Sequence, residues 1–249
     1  MAKSKHYYIR RIHRYMGVFL GIQFLFWTIG GLYFSWTDID EIHGDNQHKA
    51  APPIIGNLNI VSPSGILQNA PNKIDFINSI QVINILQKPF YNIVYTSSGS
   101  SYKILADAQT GVIRNPISKD EAINIATASF NGKSTVESVE YLTTTGGHHE
   151  YREKPLPAWA VTFNHPANTT IYVSSDYGKV ESFRNNKWRI FDFLWMMHTM
   201  DYKQRDNMNN GLLRTFSIIG LLTIISGFVL FLDSSKWPGR QKKVIDSNK

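Results

Sequence analysis

Val18-Phe-Leu-Gly-Ile-Gln-Phe-Leu-Phe-Trp-Thr-Ile-Gly-Gly-Leu-Tyr-Phe-Ser-Trp36 carries no charged residue, and only Gln23, Thr28 and Ser35 interrupt it with polar side chains. Leu212 to Leu232 repeats the pattern, with Arg214 near its start and Ser217, Thr223 and Ser226 inside. With its flanks, each run covers about 20–22 residues, which at about 1.5 Å per helical residue crosses a bilayer core of about 30 Å. A helix on the surface of a soluble domain is apolar along one stripe rather than all round. The two runs predict a membrane protein with spans at 15–36 and 211–232 and a large domain between them. The first run ends in Leu32, Tyr33, Phe34, Ser35 and Trp36, which offers no small-residue cleavage site, so it reads as an uncleaved anchor. Trp27, Tyr33 and Trp36 resemble part of an interfacial aromatic belt.

Charge orients the spans. Lys3, Lys5, Arg10, Arg11 and Arg14 precede the first, and Lys236, Arg240, Lys242, Lys243 and Lys249 follow the second. With Asp246 the one acid beside them, the two ends carry +9, and the 16 basic and 18 acidic residues elsewhere leave −2, recovering the net +7. Lys and Arg are retained on the cytoplasmic side, so both tails are expected there, at a bacterial inner membrane, with the middle of the chain extracytoplasmic. Nucleic acid is excluded as a partner, because the positive charge is absent from the region long enough to fold as a domain. The chain has no cysteine, which excludes disulfides, thiolate metal sites and covalently attached c-type haem.

The region between the spans opens with a polar stretch, Asp38 to Pro53, read as a linker, and then repeats itself. Tyr102-Lys-Ile-Leu-Ala-Asp-Ala-Gln-Thr-Gly111-Val112 ends one half and Thr169-Thr-Ile-Tyr-Val-Ser-Ser-Asp-Tyr-Gly178-Lys-Val180 ends the other. Each reads as strand, tight turn around a glycine, strand. Upstream, Ser79–Leu86 corresponds to Thr135–Leu142, and Tyr91–Tyr95 to Trp159–Phe163. A helix signal opens each half: Ser118-Lys-Asp-Glu121 is a capping box, and Ser62-Pro63 starts a weaker helix running to about Ala70. The second half is longer by a loop within Thr143 to Pro157 that carries Gly146-Gly147-His148-His149-Glu150. Adjacent histidines point apart on an extended chain, so His148 and His149 read as solvated or as part of a partner-binding loop.

The helix-then-sheet unit ending in Asp107-Ala-Gln-Thr-Gly-Val112 resembles the PepSY domain. Ile12-His13-Arg14-Tyr15-Met16-Gly17, followed by apolar residues, resembles the opening of PepSY-associated transmembrane proteins, and Trp195-Met-Met-His198-Thr-Met-Asp201-Tyr202 is similar to their second histidine-bearing segment. This chain would be a reduced, two-span version of such proteins. The resemblance implies one of two activities. Some members look like inner-membrane proteins that hold b-type haem through membrane histidines, tied to ferric siderophore reduction or extracytoplasmic flavin-linked electron transfer. Other PepSY domains resemble inhibitory or chaperone-like modules acting on secreted peptidases.

Under the first reading His13 and His198 are axial-ligand candidates for haem b, their metal role being through the haem iron alone, and Arg10 and Arg14 are propionate partners. His43, beyond the first span, is a weaker candidate. The bland readings stand beside these: His13 as an interfacial histidine among positive residues, His198 as the wet end of an amphipathic helix, His43 as a linker residue. Geometry places His13 and His198 about 30 Å apart, on opposite leaflets, so one chain cannot clamp one haem with both. Either each takes a second ligand from elsewhere, or a homodimer pairs His13 with its mate through Gly17-x-x-x-Gly21.

The expected fold is an α+β membrane protein: a basic cytoplasmic tail at 1–14, helix 15–36, linker 37–53, PepSY-like units at 54–116 and 117–185, an interfacial amphipathic helix at 186–210, helix 211–232, and a second basic tail at 233–249. The preferred function is haem-based electron transfer with a redox protein or quinone as partner. The alternative is a non-enzymatic, membrane-anchored PepSY module that binds a peptidase or another protein. No catalytic motif of its own is present, and the lipid bilayer is a partner under either reading.

Overall fold

The first apolar run is helical well beyond its own limits. In the computed structural model, which describes residues 5–50, 53, 56 and 58–234, α1 spans Lys5–Trp36. Lys3 and the basic residues from Lys236 onward lie outside the described residues. The chain divides into two compact units, Met1–Leu32 with Leu194–Lys249, and Tyr33–Phe193.

In the helical unit, α1 over Tyr7–Trp36 and the C-terminal helix over Gly211–Leu232 are each long and apolar enough to cross a membrane. Leu20 of the first packs with Met200 and Phe216, and Trp27, Leu213 and Ile219 flank this cluster. Gln23 Nε2 donates to the Met197 carbonyl at 2.6 Å, satisfying a buried amide. Asn210 Oδ1 accepts from Leu213 N–H at 2.8 Å and caps the start of the C-terminal helix.

The Tyr33–Phe193 unit is α+β. Helix α2 (Ile39–His43), capped by Asp38 and closed by Gly44 at φ +80°, and a 3-10 turn at Asp45–Gln47 occupy the polar stretch expected to be a linker. That stretch folds because its ends are capped locally and its contacts are specific: Ile42 is buried, Asn185 Nδ2 donates to Glu41 O, and Thr169 Oγ1 donates to Gln47 Oε1.

Helix α3 (Pro63–Gln68) precedes a sheet of β1 (Phe76–Ile85), β2 (Lys88–Ser97), β3 (Ser100–Asp107) and β4 (Ile113–Arg114), antiparallel and in sequence order. Helix α4 (Lys119–Ser129) precedes a second such sheet of β5 (Val136–Leu142), β6 (Ala158–Phe163), β7 (Thr170–Ser174) and β8 (Val180–Arg184). The expected scheme of one helix and one small antiparallel sheet, twice, is what forms. Both hydrogen bonds of the capping box between Ser118 and Glu121 are made. The turns before β4 and β8 place Gly111 at φ +75° and Gly178 at φ +60°, the left-handed region where only glycine is unstrained.

The two sheets share one core. Ile85, Phe90 and Leu105 of the first pack with Ala122, Ile125 and Ala126 of α4 and with Val161, Phe163, Ile171 and Val173 of the second. On its opposite face the first sheet packs Tyr91, Ile93, Tyr95, Ile104 and Ala106 around Ile66 of α3. Helix α5 spans Asn186–Thr199 and ends where Met200 turns to φ +54°, so the amphipathic helix expected over 186–210 covers only the first part of that range. The C-terminal helix, α6, spans Gly211–Ser234.

Candidate functional site

The histidines chosen from the sequence occupy separate places. His13 Nδ1 is 2.8 Å from Ser226 Oγ on α6. Ser226 spends its one hydroxyl proton on the Thr223 carbonyl at 2.7 Å, so the imidazole must be the donor and Nδ1 carries hydrogen. Gly227 lies under the ring: a Cβ there would stand 3.2 Å from His13 Cε1. Arg10 and Arg14 are exposed.

His198 lies elsewhere in the same unit. Its ring stacks on Trp195 at 5.9 Å and 12° and leans on Trp27 at 5.6 Å, while its carbonyl accepts from Trp27 Nε1 at 3.1 Å. Trp27 follows His13 by 14 positions on α1, a rise of about 21 Å, so the two imidazoles cannot share an iron. One chain therefore does not fit a bis-histidine haem spanning these residues. Among the described residues no group of three or more His, Cys, Asp or Glu side chains is placed to hold a metal ion.

His43 belongs to the other unit, where with His48 it lines an open cleft of about 400 Å³ beside β8, together with Lys154, Arg184 and Trp188. The inserted loop is solvated at Gly146, Gly147 and His148, which are exposed, and packed from His149 onward. His149 Nδ1 accepts from Tyr151 N–H at 3.0 Å, and Tyr151, fully buried, stacks on Tyr172 at 4.5 Å and 11°. Glu150 accepts from Arg189 through both oxygens, at 2.7 and 3.0 Å, and from the Tyr172 hydroxyl at 2.8 Å. Arg152 pairs with Asp192 at 2.7 Å, and the Arg184 guanidinium lies 4.1 Å from the centre of the Trp188 ring. Burial pushes the Tyr151 and Tyr172 phenols up and the Arg184 guanidinium down. Loop and α5 thus close one face of the second sheet.

The other notable feature is a cleft of about 550 Å³ along β3, lined by five consecutive residues of that strand, Ser101 to Leu105, and by Arg114, Pro116 and Leu156 among others. Strand β4 pairs only with Leu105 and Ala106. Continuing that register puts Pro116 opposite Lys103, where it has no N–H to give, so the ladder stops. Pro116 was visible in the sequence, but its meaning depends on a register that the sequence does not state. At the cleft floor Lys103 Nζ pairs with Asp176 at 3.3 Å and sits 4.2 Å from the Tyr177 ring centre. Arg114 holds both oxygens of Glu121 at 2.6–2.7 Å, and this bond, with help from the Ser118 N–H, keeps the Glu121 carboxyl below its usual range despite partial burial.

Residues 116–184, which span α4 and the second sheet, match the family model PepSY, described as peptidase propeptide and YPEB domain. Comparisons with the curated proteins and with the solved structures give no match.

Proposed function

We propose that this chain is a membrane-anchored binding protein in the manner of a reduced PepSY-associated transmembrane protein. Helices α1 and α6 cross the bacterial inner membrane, both basic tails are cytoplasmic, and the Tyr33–Phe193 unit, a PepSY-like fold written twice, engages a peptidase or another polypeptide outside. The observation that carries this reading is the match of 116–184 to a domain whose description names peptidase propeptides. The large exposed side chains of the two long helices support the anchoring: Val18, Ile22 and Leu25 on α1 and Ile218, Leu221 and Phe228 on α6 present a continuous apolar surface that water disfavours and lipid accepts.

The test uses the full-length protein reconstituted in nanodiscs. Added to the extracytoplasmic peptidases of the source cell, it should lower their rate on casein; an unchanged rate would overturn the peptidase reading. Topology is read independently, because the chain has no cysteine of its own. Ser100→Cys should react with a membrane-impermeant maleimide in spheroplasts and Ser4→Cys only after lysis, and the reverse pattern would invert the orientation.

Electron transfer is the second reading, and it needs a dimer. A Cβ built on Gly17 or Gly21 meets no described atom within 4 Å, which leaves that face of α1 open to a second copy. A dimer would supply His13, and separately His198, with the second haem ligand that one chain lacks, Arg10 and Arg14 would face propionates, and a redox protein or quinone would be the partner. A dithionite-reduced spectrum of the detergent-purified protein decides it. Sharp α and β bands would establish the haem, and a featureless spectrum from haem-replete cells would remove it.

A further inference from the structure

We infer that the open edge of β3 is a peptide-binding site, taking an extended segment of the partner polypeptide as an added strand in line with β4. The inference rests on the binding reading above and gives it a place and a chemistry.

The backbone supplies the first argument. Asp107 N–H donates to Val112 O, toward β4, while Ala108 N–H donates to Pro89 O, toward β2. Alternation along an antiparallel strand then sends the N–H and C=O of Ser101 and Lys103 out of the same edge as those of Asp107. The described part of β4 ends before reaching them, with Pro116 standing at the register position that should have paired Lys103.

The shape of the cleft supplies the second. Its lining takes both Lys103 and Leu105, whose side chains face the second half, and Tyr102 and Ile104, whose side chains lie on the α3 side. A cleft touching both faces of one strand runs along its edge. From Ser101 to Leu105 it extends about 14 Å, the length of four or five residues in β conformation.

The second half of the same chain shows what such an edge accepts. There β7 is the counterpart of β3, and β8 covers it from Thr170 to Val173 with Val180–Arg184. The occupant that fits the first half is thus a short extended segment with alternating apolar and polar side chains. Main-chain hydrogen bonds would give its affinity, and Ile113, Leu156 and Pro71 at the walls would select its apolar positions.

The probe is a fluorescein-labelled peptide of sequence Lys-Val-Glu-Ser-Phe-Arg-Asn, a copy of residues 179–185, titrated by polarisation against the full-length protein in nanodiscs. Ser101→Pro removes one outward N–H and leaves the ladder to β2 intact; Lys103→Ala removes a side chain and leaves the backbone. Ser101→Pro should weaken binding about tenfold and Lys103→Ala less than about threefold, with the amides of Ser101 and Lys103 becoming protected from exchange when peptide is added. No binding at millimolar peptide, or equal binding by Ser101→Pro, would overturn the site. Slow exchange of those amides in the free monomer would show the edge filled by the chain itself. A dimer dissolved by Ser101→Pro would show it filled by a second copy, and either result overturns the proposal. If Ser101→Pro loses the peptide but still lowers peptidase activity, the function stands and the partner binds elsewhere.

Discussion

The two halves of the Tyr33–Phe193 unit follow one plan and finish it differently. In the second, α4 has eleven residues and buries Ala122, Ile125 and Ala126, and the last strand, five residues long, covers Thr170 to Val173 of its neighbour. The free face of that sheet is sealed by a loop and a helix tied through Glu150, Arg189, Arg152 and Asp192. In the first, α3 has six residues and buries one, Ile66, and the last strand stops after two. An identical order of elements thus gives one half whose last strand covers its neighbour and one whose edge, among the described residues, is paired only at Leu105 and Ala106. The closed half is where stability should concentrate, and the open half is where the proposed added strand would pair.

The sharpest way to break this contrast is Asp192→Ala. Its carboxylate and the Arg152 guanidinium are 4% and 10% exposed, and the substitution removes a 2.7 Å ion pair from a buried site. A loss of about 3–5 kcal/mol is expected. Lys103→Ala, which removes a pair 22% and 26% exposed in the open half, should cost less than about 1 kcal/mol. Urea unfolding of the full-length protein in detergent, followed by tryptophan fluorescence, compares them, and equal losses would end the claim that the second half is the anchored one.

The paired turn glycines sharpen it further. Both sit at positive φ, where an alanine costs about 1–2 kcal/mol. At Gly111 the new methyl would meet Val61 at 3.2 Å, but at Gly178 it would meet buried Ile85 at 2.4 Å, so overpacking of the shared core is added there, about 1–3 kcal/mol. Gly178→Ala should therefore melt lower than Gly111→Ala; the opposite order would mean that the halves do not share a core at Ile85.

Within the closed half, a pH titration separates the sealed face from the cap of α4 by sign. Burial holds the Tyr151 and Tyr172 phenols above their usual value of 10.0, so both stay neutral in the fold after they would ionise in the unfolded chain. A raised folded-state pKa stabilises fully below the unfolded value and less as pH climbs past it, which places the loss above about pH 10. Glu121 runs the other way. Its lowered carboxyl stabilises above the usual carboxylate range, and that contribution goes as pH falls through the depressed value. Tyr151→Phe with Tyr172→Phe should flatten the alkaline arm of a stability curve and leave the acid arm unchanged. An alkaline arm that survives both substitutions would locate its cause outside the sealed face.

What the sequence disclosed was what local pattern controls. The apolar runs gave both long helices, the strand–glycine–strand repeat gave both sheets, and Ser118 with Glu121 gave a cap that forms in full. What it withheld depends on partners far away along the chain. His13 meets Ser226 across 213 positions, and no spacing near His13 announces that hydrogen bond. Asp38 to His48 looked like linker because its composition is polar, yet Asn185 and Thr169 make that polarity a set of bonds. His149 read as solvated or as part of a partner-binding loop until the Tyr151 N–H and the Tyr172 ring were in place beside it. The open edge was hidden for the same reason, since Pro116 is an ordinary turn residue until the register of β3 sets it against Lys103.

The helix caps carry the smallest expected effect and bear on which half folds on local signals. Ser118 Oγ accepts from the Glu121 N–H at 3.3 Å while the Glu121 carboxylate accepts from the Ser118 N–H at 3.0 Å, so Ser118→Ala breaks a reciprocal pair at the head of a helix buried in the shared core. About 1 kcal/mol should be lost. Ser62 Oγ accepts from Ser64 N–H at the same 3.3 Å, but no described side chain returns the bond and the helix it starts is short. Ser62→Ala should cost only a few tenths of a kcal/mol, roughly the scale of exposed surface substitutions. Thermal melts of the two variants make the comparison. A larger loss at Ser62 would place the folding anchor in the half with the open edge, and an added strand there would then act on the most stable part of the unit.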